Sequence, residues 1–324
     1  MVNINELIKG VYRLKKSKSY NKYIHEEFRI SKDTYQNIFS IIIKPECLNG
    51  RIEEIIPFIF NHLSNHSIKV HSISAFKGSY IRENYIIEQQ YNTLNKYSKM
   101  KEIKSFSKHI IGSYEFLRKY KSNFNSYKLE KLAHKLGSKK VSNGIYSLNI
   151  KHDDIEYEVL NAFHPYQKQH FCLPNNISIF MECSSNQNMP YLADKVIGNF
   201  DPHNAHKQSL RHSLLKKSDY FNVKINTIYN GVHISPSPFE AVKSIILFSE
   251  KHNGEKPKLT DFIIIQHLLK RGFTLSCIKR MFENPVITLN NNNMYLFEML
   301  EGLNTDEIIE KLCEMEWINE YINY

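Results

Sequence analysis

The segment NIFSIIIKPECLNGRIEEIIPFIFNHL, residues 37–63, constrains the fold more than any other stretch. It opens as an unbroken apolar run ending at Ile43, turns through Pro45 and Gly50, and closes with apolar residues recurring at three and four spacing. The first pattern is that of a strand buried on both faces; the second is that of a helix with one apolar stripe. A chain containing both must pack helices against a sheet. IKVHSISAF (68–76) then alternates as a strand, and SYIRENYIIEQQYNTLNKYSK (79–99) returns to a helix.

That rhythm breaks afterwards. Residues 100–137 are basic and read as helical, and IYSLNIKHDDIEYEVL (145–160) reads as a hairpin, so about 100–160 is expected to be an inserted subdomain. NISIFMEC (176–183) resumes the core as a strand, NMPYLADKVIG (188–198) is a helix, and NFDPHNAHKQSLRHSLL (199–215) is a polar loop leading into a short helix. NTIYN (226–230) is expected as the last core strand, joined by His233 to the helix SPFEAVKSIILFSE (237–250). Ser235 or Ser237 can cap that helix, Pro238 suits its first turn, and Glu240 follows Ser237 at capping-box spacing. Residues 1–36 are expected as an N-terminal arm, 37–250 as the core interrupted by the insertion, and 251–324 as a helical extension.

Charge and cysteine narrow the function classes. Forty-three Lys and Arg against 33 Asp and Glu give +10, which suits polyanionic partners such as nucleotides or nucleic acid without choosing among them. Much of the surplus lies in diffuse runs typical of solvated helix faces. No apolar run approaches the roughly 20 residues of a bilayer span, and MVNINELIKGVYRLKKSK lacks the apolar core of a signal peptide. A soluble, cytoplasmic protein with no membrane partner is expected. The five cysteines contain no CxxC pair, which argues for a reducing compartment. His164, His170, Cys172 and Cys183 are gathered at spacings that fit no usual zinc pattern, so no resident metal is assigned.

His233 stands among residues that suit phosphate chemistry. Lys44 ends a core strand, Arg211 brings a planar fork that matches phosphate oxygens, and Asn230 can bond a sugar hydroxyl or a phosphate oxygen. A neutral imidazole with two cations is a sufficient minimum for a ping-pong phosphoryl transfer.

These residues fall into blocks that resemble the nucleoside diphosphate kinase family. The blocks are IIIKPECLNGRIEEII (41–56), EQQYNTL (88–94), GNFDPHNAHKQSLR (198–211) and NGVHISPSPFEAVKSI (230–245), in the family's order and on the matching elements. The resemblance implies an α+β fold: a ferredoxin-like antiparallel four-stranded sheet with helices, here with inserted and C-terminal helical elements added. It implies a nucleotide-dependent phosphotransferase that uses Mg2+ with a nucleoside triphosphate, and homo-oligomers. Carried over, His233 is the phosphorylated nucleophile, and Lys44 and Arg211 clamp phosphates. Asn230 contacts ribose, Tyr91 lies beside the histidine, Ser235 supports it, and Lys195 stands one position from a second phosphate-binding arginine. Departures are also visible. Ile234 and Pro236 replace the Gly and Asp after the histidine, Ser244 stands where the family has an orienting glutamate, and Phe200 replaces a phosphate-binding threonine. Phe163 or Tyr166 would have to supply the stacking ring for the base. The additions point to a specialised acceptor. The alternatives are a nucleotide-binding pseudoenzyme or regulatory subunit and, ranked lowest, a nucleic-acid binder using LLKRGFTLSCIKRMF (268–282), which has helix-turn-helix spacing around Gly272.

Overall fold

The apolar run at 37–43 and its counterpart at 177–185 form the centre of the main sheet in the computed structural model, which describes residues 2–30, 36–104, 108–289 and 292–315. All nine residues of the Ile177–Ser185 strand are buried, as a strand covered on both faces requires. The strands lie in the order Lys22–Glu26, Lys69–Lys77, Ile177–Ser185, Asn37–Ile43, Val232–Ile234, and every pairing is antiparallel. Ile42 faces Phe180 on one side and His233 on the other.

The fold is therefore mixed α+β, but the main sheet has five strands where four were expected. The extra one comes from the segment expected to be an arm. Lys22–Glu26 pairs with Lys69–Lys77 along the edge, and the preceding helix Ile4–Lys16 buries Leu7, Val11 and Leu14 in the main core. Asn3 caps that helix by accepting the Glu6 N–H at 3.2 Å. A short polar strand with four of its five residues partly buried and none fully buried is hard to read from hydropathy because no alternation marks it.

Two further expectations shift. The 79–99 helix is three short helices, Gly78–Glu83, Ile86–Gln90 and Asn92–Ser98, separated at Tyr85 (φ 52°) and at Tyr91. The last core strand is not NTIYN. Asn226 Oδ1 accepts the N–H groups of Ile228 and Tyr229 and folds that segment into a turn, so the strand starts only at Val232, past Gly231. His233 is thus the middle residue of the strand.

The inserted segment carries its own sheet, in the order Ile103–Lys104, His109–Gly112, Ile155–Leu160, Ile145–His152, Lys139–Ser142. The expected hairpin at 145–160 is present, turning through Asp153 and Asp154, both at positive φ as a tight hairpin turn demands. The 100–137 stretch is less helical than its composition suggests, because two short strands precede the helices Ser113–Lys119 and Ser126–Leu136. Ile111, Phe116, Leu129, Leu148, Tyr157 and Val159 form a separate apolar cluster there. The segment after 250 buries Phe262, Leu268, Ile278, Leu300 and Leu312 in the main core and adds a hairpin, Val286–Leu289 with Asn292–Tyr295. The expected continuation of helix beyond Met315 lies outside the described residues. Among those described, no helix is long and apolar enough to cross a membrane, and no cysteine forms a disulfide.

Candidate functional site

The site is built around the edge strand Val232–Ile234. Gly231 precedes it at φ 80°, and a Cβ there would fall 2.9 Å from Cys47 Sγ and from Leu214 Cδ1. That close approach lets the Gly231 carbonyl accept the Lys44 N–H at 2.8 Å while its own N–H donates to Glu46 Oε1 at 2.9 Å. The strand end with Lys44 and the strand with His233 are thereby locked side by side.

Lys44 Nζ donates to Asn230 Oδ1 at 2.7 Å, and Asn230 Nδ2 donates to the Phe200 carbonyl at 2.9 Å. Burial, which Glu46 opposes, lowers the proton affinity of the ammonium. Arg211 is only 8% exposed. Its guanidinium donates through Nη1 to the Gly198 carbonyl at 2.7 Å, and through Nη2 and Nε to the Val232 carbonyl at 2.9 and 3.3 Å. Burial pulls its pKa down to about 10, so it keeps its charge near neutrality. Glu46 balances both cations. Burial works against its charge, yet the His170 Nε2 contact at 3.1 Å and nearby Lys44 hold its carboxyl below the usual range.

His233 sits within the field of these groups. Burial first, then Lys44 and Arg211, bring its pKa down to about 3, so the imidazole is neutral at pH 7. Tyr91 meets it edge-on, with ring centroids 5.9 Å apart and planes at 75°. Among the described residues nothing hydrogen-bonds the imidazole. His233 lines a cavity of about 200 Å³ together with Gln90, Tyr91, Lys140, Glu240, Lys243 and Glu301.

Lys44, Asn230 and Arg211 therefore gather at the base of the Val232–Ile234 strand and Tyr91 meets His233, but of these only Tyr91 and His233 line the cavity. The other two sequence candidates serve elsewhere. Ser235 belongs to the sheet ladder: its N–H donates to the Ser40 carbonyl at 2.9 Å, and its Oγ accepts the Ser40 N–H at 3.1 Å. Ser237 caps the following helix by accepting the Glu240 N–H at 3.2 Å. Lys195 is half exposed, pairs with Asp194 at 2.9 Å, and is not among the residues lining the His233 cavity. The rings considered for base stacking are occupied. Phe163 packs edge-on against Tyr146, and Tyr166 bonds Tyr229 beside Lys44 and Glu46, where a gap of about 10 Å³ leaves room for roughly one water.

Sequence reasoning missed Glu240 and Lys243. Ser244, at the position of the orienting glutamate, is engaged with Gln90 at 2.7 and 3.0 Å. Glu240, one turn earlier on the Pro238–Phe248 helix, reaches the histidine's cavity instead. Its capping-box spacing suggested a bond back to the Ser237 backbone, but Oε1 has no partner among the described residues. Burial, with Glu301 nearby, pushes its pKa up to about 8.

Sheet and site together define a mixed α+β protein with a neutral histidine on the wall of a polar cavity and two buried cations behind it. No protein-family model matches the chain, and no curated protein matches it. Among solved structures it is similar to an NDP kinase from Pyrobaculum aerophilum, at 16% identity and a TM-score of 0.35, over 68% of this chain and 99% of the other. A likeness at this level carries no inference about activity.

Proposed function

We propose that the protein is a nucleotide-dependent phosphotransferase in which His233 carries the phosphoryl group. The observation that carries this reading is the state of the imidazole: neutral, unbonded among the described residues, and facing a cavity with Lys44 and Arg211 behind it. The four sequence blocks that resemble nucleoside diphosphate kinases supply the donor class, a nucleoside triphosphate. Its Mg2+ arrives as part of the substrate.

In the first half-reaction an imidazole nitrogen attacks the γ-phosphorus in line. The N–P bond forms as the bond to the leaving diphosphate oxygen breaks. Lys44 and Arg211, which stand behind the histidine and do not line the cavity, act on the charge spread over the equatorial oxygens through their field in a desolvated site. Their charges also keep the nucleophile unprotonated, so no activating base is needed for this step. In the second half-reaction an acceptor takes the group from His233.

A second reading rests on a different observation. The donors of Lys44 and Arg211 are committed to Asn230 and to the carbonyls of Gly198 and Val232. Cations held in this way can anchor a nucleotide without turning it over. Incubation with γ-labelled ATP or GTP and Mg2+ separates the two. Phosphotransfer requires acid-labile, alkali-stable label on the wild type and none on His233→Ala. Nucleotide binding by calorimetry without label selects the second reading.

A further inference from the structure

Glu240 and Lys243 project from one helix into the cavity that His233 faces. The inserted segment, through Lys140 and Asn143, and the C-terminal segment, through Glu301, complete its wall. Glu240 Oε1 has essentially no accessible surface and no hydrogen-bond partner among the described residues, so the carboxyl meets the cavity through its other oxygen, Oε2. A buried carboxyl with an unmet oxygen carries a desolvation cost when it ionises, and its place on the cavity wall that also holds His233 puts it where a bound ligand's proton can meet that need.

The chemistry of the second half-reaction says which kind. The terminal oxygen of a nucleoside diphosphate is already anionic; it needs no base, and a neighbouring carboxylate repels it. A hydroxyl must lose a proton as it attacks. We propose that Glu240 is the proton acceptor for a hydroxyl-bearing small molecule that takes the phosphoryl group from His233 in this cavity. The proposal rests on the phosphohistidine reading above. As the acceptor oxygen bonds to phosphorus, the N–P bond breaks and its electron pair returns to the imidazole. The hydroxyl proton passes to the Glu240 carboxylate, which later gives it to solvent.

Groups around Glu240 tune it in both directions. Burial and Glu301 favour its protonated form, Lys243 and Lys140 favour the carboxylate, and Tyr91 and His233 share the cavity wall. The balance leaves it titrating near pH 8, close to where a general base works best. The Lys140–Glu301 ion pair, 2.9 Å long, ties the insertion to the C-terminal segment on the cavity wall. On this reading the added segments exist to close an acceptor site.

The test uses phosphoenzyme made from the full chain with γ-labelled ATP and freed of nucleotide. Loss of label is then followed from pH 6 to 9 in buffer and with added glycerol, water and glycerol being the hydroxyl probes. Rates are taken per mole of phosphoenzyme formed. In the wild type the loss should accelerate with pH through about 8, following Glu240 ionisation. Glu240→Gln should slow it at least tenfold and flatten the profile. Glu240→Asp, which keeps the charge and guards against a folding artefact, should restore part of the rate and the pH dependence. A Glu240→Gln phosphoenzyme that loses label to water and glycerol as fast as the wild type overturns the proposal. Absence of label on the wild type instead removes the phosphohistidine reading, so the two failures are distinct.

Discussion

Each residue of the site shows its role through what it touches. Lys44 holds Asn230, and Arg211 holds two carbonyls, so their substitutions differ in kind. Lys44→Met, which takes a balancing cation from buried Glu46 and a donor from Asn230, should lower stability and also slow labelling of His233 by about 2–4 kcal/mol of lost transition-state stabilisation, measured in single-turnover assays on the folded fraction. Unchanged labelling would take Lys44 out of the site. Gly231→Ala should cost about 1–3 kcal/mol in thermal unfolding, because its φ of 80° disfavours a side chain and the new Cβ would meet Cys47 and Leu214. The titrating groups give opposite pH slopes. His233 has a folded pKa near 3, below its unfolded value of roughly 6.5, so the unfolded chain binds the extra proton and stability falls as pH drops below that value. Urea unfolding at pH 5 should show a loss of about 2 kcal/mol from this residue, and His233→Asn should lessen the acid sensitivity. Glu240 is the reverse. Its raised pKa means that the buried carboxyl costs stability as pH climbs from the unfolded value towards 8, so Glu240→Gln should be more stable than the wild type at pH 8 and nearly equal to it at pH 4. Lys44, Arg211, Asn230 and His233 were singled out by residue type and position, and Tyr91 only through the family resemblance. Glu240 was not, because the same spacing is satisfied by an ordinary capping box, and only the helix orientation tells the two apart.

At the scale of elements, legibility followed burial. The strands Asn37–Ile43 and Ile177–Ser185 and the helices Ile52–Asn65 and Pro238–Phe248 have strong apolar patterns and were readable to within a few residues. Elements set by a single local bond were not. NTIYN has the composition of a strand, but the Asn226 side chain competes for the backbone N–H groups and makes a turn. The helix expected at 79–99 breaks where Tyr85 adopts positive φ, and nothing in its periodicity announces that. Lys22–Glu26 is an edge strand that is partly buried along its length, with no alternation of buried and exposed residues to mark it. The inserted segment was expected to stand apart, and its own cluster around Phe116 and Tyr157 gives it a local core. Phe116→Ala should remove about 3–5 kcal/mol of packing there. Hydrogen exchange should rise across 109–160 while Ile177–Ser185 stays protected; uniform loss of protection would mean that the insertion and the main sheet unfold as one unit.

For the whole molecule, the segments outside the resemblance are parts of the same body. Residues 4–16 and the segment after 250 contribute to the main core, and the insertion reaches the C-terminal segment through Lys140 and Glu301. Their convergence on the cavity beside His233 gives the added length a location, and the proposed function gives it a use. The strand and helix rhythm gave helices packed on a sheet, and the α+β class came from the family resemblance; the fifth strand and the closing of the cavity could not be read, because they arise from a partly exposed edge and from contacts between segments more than a hundred residues apart. The most direct measurement is peptide mapping of the protein by mass spectrometry under neutral conditions after exposure to ATP and Mg2+. A phosphoryl group located on the peptide containing His233, and discharged on addition of an acceptor, is the expected result. A phosphoryl group on any other residue, or none on a protein that binds nucleotide, would contradict it.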